Sequence, residues 1–334
     1  DLDQIRPELQ ELRDRKAFQL DENREDAVAK RKKKHKQTAR ENVAQLCDPD
    51  SFHEYGSLII AAQRKRKSEE ELIKSTPADG IITGIGAVNG ELFDAEKAKC
   101  MILCYDYTVL AGTQGYFGHH KTDRVLSVAS RSRLPIILFA EGGGGRPGDT
   151  DIQAVGGLHL TTFAEYAMHN GVAPRVSIVS GYCFAGNAAL AGCSDVIIAT
   201  EDTNLGMGGP AMIEGGGLGK FHPKEVGPVQ VQAPNGVIDI LVKDEREAIE
   251  VAKKYLAYFQ GELKEWESED QRKLRYAIPE NRRRVYDIRK LINLLADKDS
   301  VLELRKDYAI GMLTAFIRIE GKPMGLIANI PAHL

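Results

Sequence analysis

Two glycine-rich turns hold the residues best suited to chemistry done by main chain. The first, FAEGGGGRPGD, runs from Phe139 to Asp149 and sets four consecutive glycines ahead of an arginine. The second, SGYCFAGNAALAG, runs from Ser180 to Gly192. Glycine loses more backbone entropy on folding than any other residue, so four in a row implies a need for bare backbone. Ligands gather beyond the carboxyl ends of strands in α/β sheets, and free N–H groups at a helix start attract negative charge. If the second turn presents the amides of Ala185 and Gly186, it can hold a thioester oxygen as charge develops. That is an oxyanion hole, in which one donor is worth roughly 2.7–4 kcal/mol of barrier. For either turn taken alone, tight packing explains the glycines equally well.

Side-chain catalysts are hard to nominate. His119 and His120 are adjacent near a helix start and read as cap or surface residues. Ser180 and Ser194 lie outside any G-x-S-x-G, and Cys183 reads as a buried structural thiol. Glu141 and Glu214 flank glycine loops and form a candidate acid/base pair. GIGAVNG is not followed directly by a helix, and GMGGPAMIEGGGLG, Gly206 to Gly219, reads as a broad loop. No GxxxxGK[ST] phosphate loop occurs.

The elements that must position these turns follow from apolar patterning. LPIILFAE, PRVSIVSG and SDVIIAT are short buried-strand runs. HHKTDRVLSVASRSR, GGLHLTTFAEYAMHNG and FAGNAALAG read as helices between or beside them. Such alternation predicts βαβ units and a parallel sheet. KDEREAIEVAKKYLAYFQG is an amphipathic helix closed by Gly261. Residues 1 to about 48 read as charged helix; its basic run KRKKKHK is either a solvated face or a collar that attracts phosphates.

The 334 residues set about two domains as a prior. A formal net charge of -3 speaks against a dedicated nucleic-acid binder. Five cysteines make no even disulfide framework and no CxxC pair, which reads as a reducing compartment without structural zinc. No apolar run approaches the ~18 residues of a membrane span, and the charged start has no signal-peptide core.

The order of segments is similar to one family. FAEGGGGRPGD, then NGVAPRVSIVSGYCFAGNAALAGCSDVIIAT, then EVGP and GVIDILVKDEREAIEVAKKYLAYF resembles the carboxyltransferase component of biotin-dependent acyl-CoA carboxylases. RKKKHKQTARENVAQLCDPDSFHEYGSL resembles the family's start, and YDIRKLINLLAD with GMLTAFIRIEGKPMGLIAN the entry to its second half. The resemblance implies an α/β, crotonase-like spiral of ββα units, here one complete lobe and the beginning of a second. It divides the chain into a helical collar (1–48), an acyl-CoA lobe (49–261), a polar linker (262–284) and the truncated start of the second lobe (285–334).

By position, the resemblance assigns the catalytic main chain to Ala185, Gly186, Gly143 and Gly144. Coenzyme A binding falls to Gly142, Gly145, Arg146, Lys121, Cys183 and Phe184. Ala185 stands where the family has glycine, and Asn187 where it has a small residue. The implied reaction moves CO2 from carboxybiotin to the α-carbon of an acyl-CoA, with no protein base and no metal. Biotin would ride on a separate carrier domain or subunit, charged by a biotin carboxylase, since no Met-Lys-Met attachment sequence occurs. A homo-oligomer and a cytoplasmic or mitochondrial-matrix location complete the expectation. A biotin-dependent decarboxylase, a crotonase-type hydratase or isomerase using Glu141 and Glu214, and a non-catalytic acyl-CoA-binding lobe are the alternatives.

Overall fold

The computed structural model describes residues 4–152, 160–281 and 283–333. Its frame is a seven-stranded sheet in the order β1 (His53–Tyr55), β2 (Ile81–Ala87), β3 (Lys99–Tyr105), β4 (Ile136–Phe139), β5 (Arg175–Val179), β7 (Val196–Thr200), β9 (Ile240–Val242). The first three strands are antiparallel, and β3 through β9 run parallel. Two short strands, β6 (Tyr182–Phe184) and β8 (Asn204–Gly206), pair with each other outside this sheet.

The central strands β3, β4, β5 and β7 are mostly apolar and buried on successive residues because both sheet faces are covered there. Ile102, Ile137, Val176 and Ile198 point to one face, where helices Ala39–Leu46 and Glu245–Gln260 pack. Met101, Leu103, Ile136, Leu138 and Ile197 point to the other, against helices Tyr116–Ser132 and Gly186–Gly192. That alternation is the period of two expected of a strand.

The N-terminal region is three helices, Pro7–Ala17, Glu25–Lys32 and Ala39–Leu46, and not the continuous helix its composition implies. The third begins at a capping box. Thr38 has ψ 162°, its hydroxyl accepts from Glu41 N at 3.0 Å, and Glu41 accepts from Thr38 N at 2.8 Å. A residue in that conformation cannot continue a helix, so the T-A-R-E stretch is a helix start. GMGGPAMIEGGGLG also departs from a plain loop, since Pro210–Gly215 is helical. Of GGLHLTTFAEYAMHNG, residues 156–159 lie outside the described residues; Thr162–Met168 is helix.

After the long helix, residues 262–281 are not free chain. Leu263 N donates to Gly321 O at 3.0 Å, and Gln271 reaches Leu294 O at 2.7 Å. They lean on an antiparallel unit of β10 (Leu302–Leu304), β11 (Met312–Ile319) and β12 (Lys322–Asn329). Phe316 of β11 packs on Tyr255, Tyr258 and Phe259 of the long helix. Buried Arg318 donates to Ala257 O at 2.7 Å, Gly261 O at 2.9 Å and Gly321 O at 2.5 Å. Arg318→Met, which keeps the stem and removes the donors, leaves those carbonyls short of partners. A loss of about 2–4 kcal/mol follows, read as a lower urea midpoint at unchanged slope; an unchanged midpoint would refute this tie.

Candidate functional site

The two glycine turns meet. Gly142 N donates to Tyr182 O at 2.8 Å, and Phe184 N donates to Gly142 O at 2.9 Å, so the first turn is paired to β6. Gly142 has φ +141°, and a Cβ there would collide with the carbonyl of Gly112. Gly144 has φ +77°, and a Cβ there would lie 2.6 Å from Ala185 Cβ and 3.1 Å from Gly186 N. Gly142 is therefore forced by main chain approaching main chain, and Gly144 by its positive φ and the close approach of the Ala185 methyl and the Gly186 amide. Gly143 and Gly145 are not. A Cβ on Gly143 would meet only Thr113 Cγ2, at 3.5 Å, and one on Gly145 would meet nothing within 4 Å. Both are exposed.

Ala185 precedes helix Gly186–Gly192 with φ 50° and ψ -122°, a backbone that a Cβ disfavours. Its N–H donates to Gly206 O at 3.2 Å. The sequence expectation had both amides of this turn free; the structure occupies Ala185's, because β8 runs alongside β6. Gly186 N, and the amides of Gly143, Gly144 and Gly145, have no acceptor among the described residues. The free donors thus come from both turns, one at the helix start and the others on the four-glycine turn beside it.

Behind the turns lies a polar brace that pattern reading missed. Gln114 N donates to Gly144 O at 2.6 Å, and Arg146 N donates to Gln114 O at 3.0 Å. The Gln114 side chain donates to Tyr105 Oη at 3.1 Å, and its Oε1 occupies the space a Cβ on Gly186 would need. Asn187 Nδ2 reaches Gly112 O at 3.2 Å and Glu141 O at 3.1 Å. The one signal for Gln114 was its place in TQG at the end of a small-residue loop.

The charged residues assigned to coenzyme A are turned inward. Arg146 is ion-paired with Asp79, both buried, and also donates to Thr113 O at 2.9 Å. Asp79 in turn accepts from Gly118 N at 2.6 Å, so the pair locks the glycine turn to the start of helix Tyr116–Ser132. Lys121 donates to Ala78 O at 2.8 Å, Gly56 O at 3.3 Å and Ile81 O, and burial pulls its pKa down to about 7. Cys183 is fully buried, and burial pushes its thiol well up, which leaves no thiolate to react. Phe184 is buried under Gly209. His119 is buried and bonded to Thr162 Oγ1 at 2.9 Å, with its pKa lowered by burial.

The basic run is divided. Buried Arg31 pairs with Glu141 at 2.8 Å, and buried Lys36 pairs with Asp202 at 2.6 Å and with the Ser180 hydroxyl. Burial raises the Glu141 pKa, and Arg31 opposes it. Lys30 and Lys34 stay exposed and, with Arg24, Lys74 and Tyr107, line a cleft of about 900 Å³. The two carboxylates a hydratase would need are held by separate cations, Glu141 by Arg31 and exposed Glu214 by Lys220 at 2.9 Å. The clefts lined by Arg24 and Tyr107, by Tyr182 and Asn204, and by Pro135 and Phe259 do not include Gly186. Gly186 is half-buried, and the turn beside it exposes Gly143 and Gly145 while Gly142 and Gly144 are buried. Among the described residues, no group of three or more His, Cys, Asp or Glu is placed to hold a metal, and no helix is long and apolar enough to cross a membrane.

The carboxyl transferase domain model matches residues 30–334. The methylmalonyl-CoA carboxyltransferase 12S subunit of Propionibacterium freudenreichii subsp. shermanii is 29% identical over 92% of this chain and 58% of its own length. A biotin-dependent acetyl-/propionyl-coenzyme A carboxylase beta5 subunit of Mycobacterium tuberculosis is 28% identical over 97% of this chain and 60% of its own. This chain thus spans about three fifths of the curated relatives it matches. Among solved structures, a single-chain, multi-domain long-chain acyl-CoA carboxylase is 55% identical with a TM-score of 0.96, over 99% of this chain and 33% of that one. The transcarboxylase 12S hexamer is 26% identical with a TM-score of 0.78, over 97% and 64%. The fold is the α/β, crotonase-like one.

Gly144→Ala and Gly145→Ala separate packing from open space. The first should cost about 2 kcal/mol or more and the second within about 0.5 kcal/mol, by chemical denaturation. Equal costs would contradict the described approach of the two turns. Ala185→Gly should not destabilise, because relief of the positive φ offsets the entropy glycine adds to the unfolded chain.

Proposed function

The chain belongs to the carboxyl transferase domain family, and on that premise we propose that it binds the thioester of an acyl-CoA and holds its enolate during carboxyl transfer from carboxybiotin. The observation that carries the proposal is the Gly186 amide, without an acceptor among the described residues, facing a glycine turn whose Cβ-free approach keeps it open. Gly186 N–H, together with an amide of Gly143 or Gly144, donates to the thioester oxygen. The negative charge of the enolate makes those hydrogen bonds stronger than in the ground state, which is where a rate gain arises. Arg146 with Asp79, and Gln114, hold the donors in place before substrate arrives, so no reorganisation is needed during reaction.

Carboxybiotin, when bound, supplies CO2 and a ureido nitrogen basic enough to take the α-proton. Among the described residues of 285–333 there is no second strand, glycine turn and helix start to receive it. We assign its binding to a second lobe, and assign the biotin to a carrier domain or subunit charged by a biotin carboxylase. The exposed Lys30 and Lys34 are offered for the phosphates of coenzyme A, in place of inward-turned Arg146 and Lys121. Oligomers are part of the proposal, since the transcarboxylase 12S neighbour is a hexamer. Five unpaired cysteines support a reducing compartment, cytoplasm or mitochondrial matrix.

Gly143→Ala tests the reading without a packing penalty. In the full-length protein with its biotin-carrying partners, the variant should unfold at the wild-type temperature. The methyl leaves the Gly143 N–H in place and enters the open space beside Gly186 where the thioester would lie, so carboxylation of acyl-CoA should fall on the order of 10²-fold, the cost of displacing the reacting carbonyl by about 1 Å. Wild-type activity in the folded variant would count against the site.

A further inference from the structure

Beside the glycine turns, beginning at the residue that accepts the Ala185 amide, lies the segment Gly206–Gly219. Seven of its fourteen residues are glycine, and its helix Pro210–Gly215 buries no residue. Met207, Met212 and Leu218 are 63%, 62% and 75% exposed, and Phe221 just beyond is 45% exposed. Four exposed apolar side chains between Met207 and Phe221 are close enough along the chain to make a candidate binding surface.

Its place is specific. Gly206, the residue before Met207, is the one whose carbonyl accepts Ala185 N–H. Gly209 packs on Phe184, with a Cβ position 3.5 Å from that ring's own Cβ. On the far side of Gly186 stands Phe163, 38% exposed, with Cζ 3.1 Å from where a Cβ on Gly186 would be. Apolar surface therefore begins at the thioester site and runs outward along this segment. Between Gly206 and Phe221 the charged residues are Glu214 and Lys220, which pair with each other at 2.9 Å and leave the strip neutral.

We propose that Met207, Met212, Leu218 and Phe221 form an adaptable bed for the hydrocarbon tail of a long acyl thioester, and that this segment sets chain-length preference. The proposal rests on the acyl-CoA reading above. An acyl tail fits better than a second protein chain for three reasons on the molecule itself. The strip starts beside the Ala185–Gly186 turn, through Gly206 O on Ala185 N–H and Gly209 on Phe184. Its side chains are mostly methionine and leucine, and unbranched methionine moulds to flexible, variable shapes. Protein interfaces favour rigid aromatic and arginine anchors, and here only Phe221 is of that kind. Seven glycines let the strip shift to meet tails of different length.

The test uses the full-length protein with its biotin-carrying partners and the combined variant Met207→Ser, Met212→Ser, Leu218→Ser. kcat/KM is measured from propionyl-CoA to palmitoyl-CoA, alongside binding of both thioesters by calorimetry. Since each buried methylene is worth roughly fourfold, kcat/KM and affinity for palmitoyl-CoA should fall at least about tenfold, with propionyl-CoA within about twofold. A folded variant with the wild-type length profile, or with equal losses on both thioesters, overturns the proposal. So does dissociation of an oligomer with the length profile intact, which would give the strip to a second copy. If the wild type carboxylates no thioester, the carboxyltransferase reading fails by itself. The binding arm then decides the bed: a selective loss of palmitoyl-CoA affinity supports it, and no selective loss overturns it.

Discussion

At the carboxyl end of the sheet, main chain lies directly on main chain. Gly142 faces the main chain of Gly112, and Gly144 faces the methyl of Ala185 and the amide of Gly186. A single methyl at Gly144 would force the two turns apart or cover the Gly186 amide. Everything proposed for the site depends on that approach, because an amide can stabilise developing charge only if it is both unpaired and reachable. The approach supplies the second condition. The first comes from topology: the amide starts a helix, where no carbonyl of the preceding turn can reach it.

Holding bare backbone in strained conformations requires a frame that cannot relax. Ala185 sits at φ 50° and Asp79 at φ 51°, each an L-residue on the left-handed side. Buried polar ties keep them there. The Asp79–Arg146 pair joins the glycine turn to a helix start, and Asn187 clamps the carbonyls of Gly112 and Glu141. The collar contributes through Arg31, which reaches Glu141 on the residue before the first glycine. Its basic residues thus divide the work, some holding the site from behind and others left in solvent.

Much of the frame was legible. The runs IILF, RVSIV and VIIAT are apolar on successive residues because both faces of the sheet are covered, and that pattern needs no partner to be read. The helix ending at Gly261 was legible from its spacing and its terminal glycine. The collar was not, because charge composition hides the breaks, although the T-A-R-E capping box was there to be read. The site was legible as two glycine turns, yet not in its details. Arg146 and Lys121 read as ligand-facing cations because their partners, Asp79 and three carbonyls, are distant in sequence. The same blindness put a free amide on Ala185, since nothing local announces that β8 will offer Gly206 O to it. Gln114 and Asn187 escaped notice for a like reason: a lone amide side chain gains meaning only from the carbonyls it meets.

The central claim concerns where one oxygen sits. The most direct measurement is an experimental structure of the full-length protein with a non-hydrolysable acyl-CoA analogue that keeps the acyl carbonyl. The account predicts that oxygen at about 3 Å from Gly186 N, with a second donor from Gly143 or Gly144. A carbonyl bound elsewhere, or a Gly186 amide paired to protein in that complex, would contradict it.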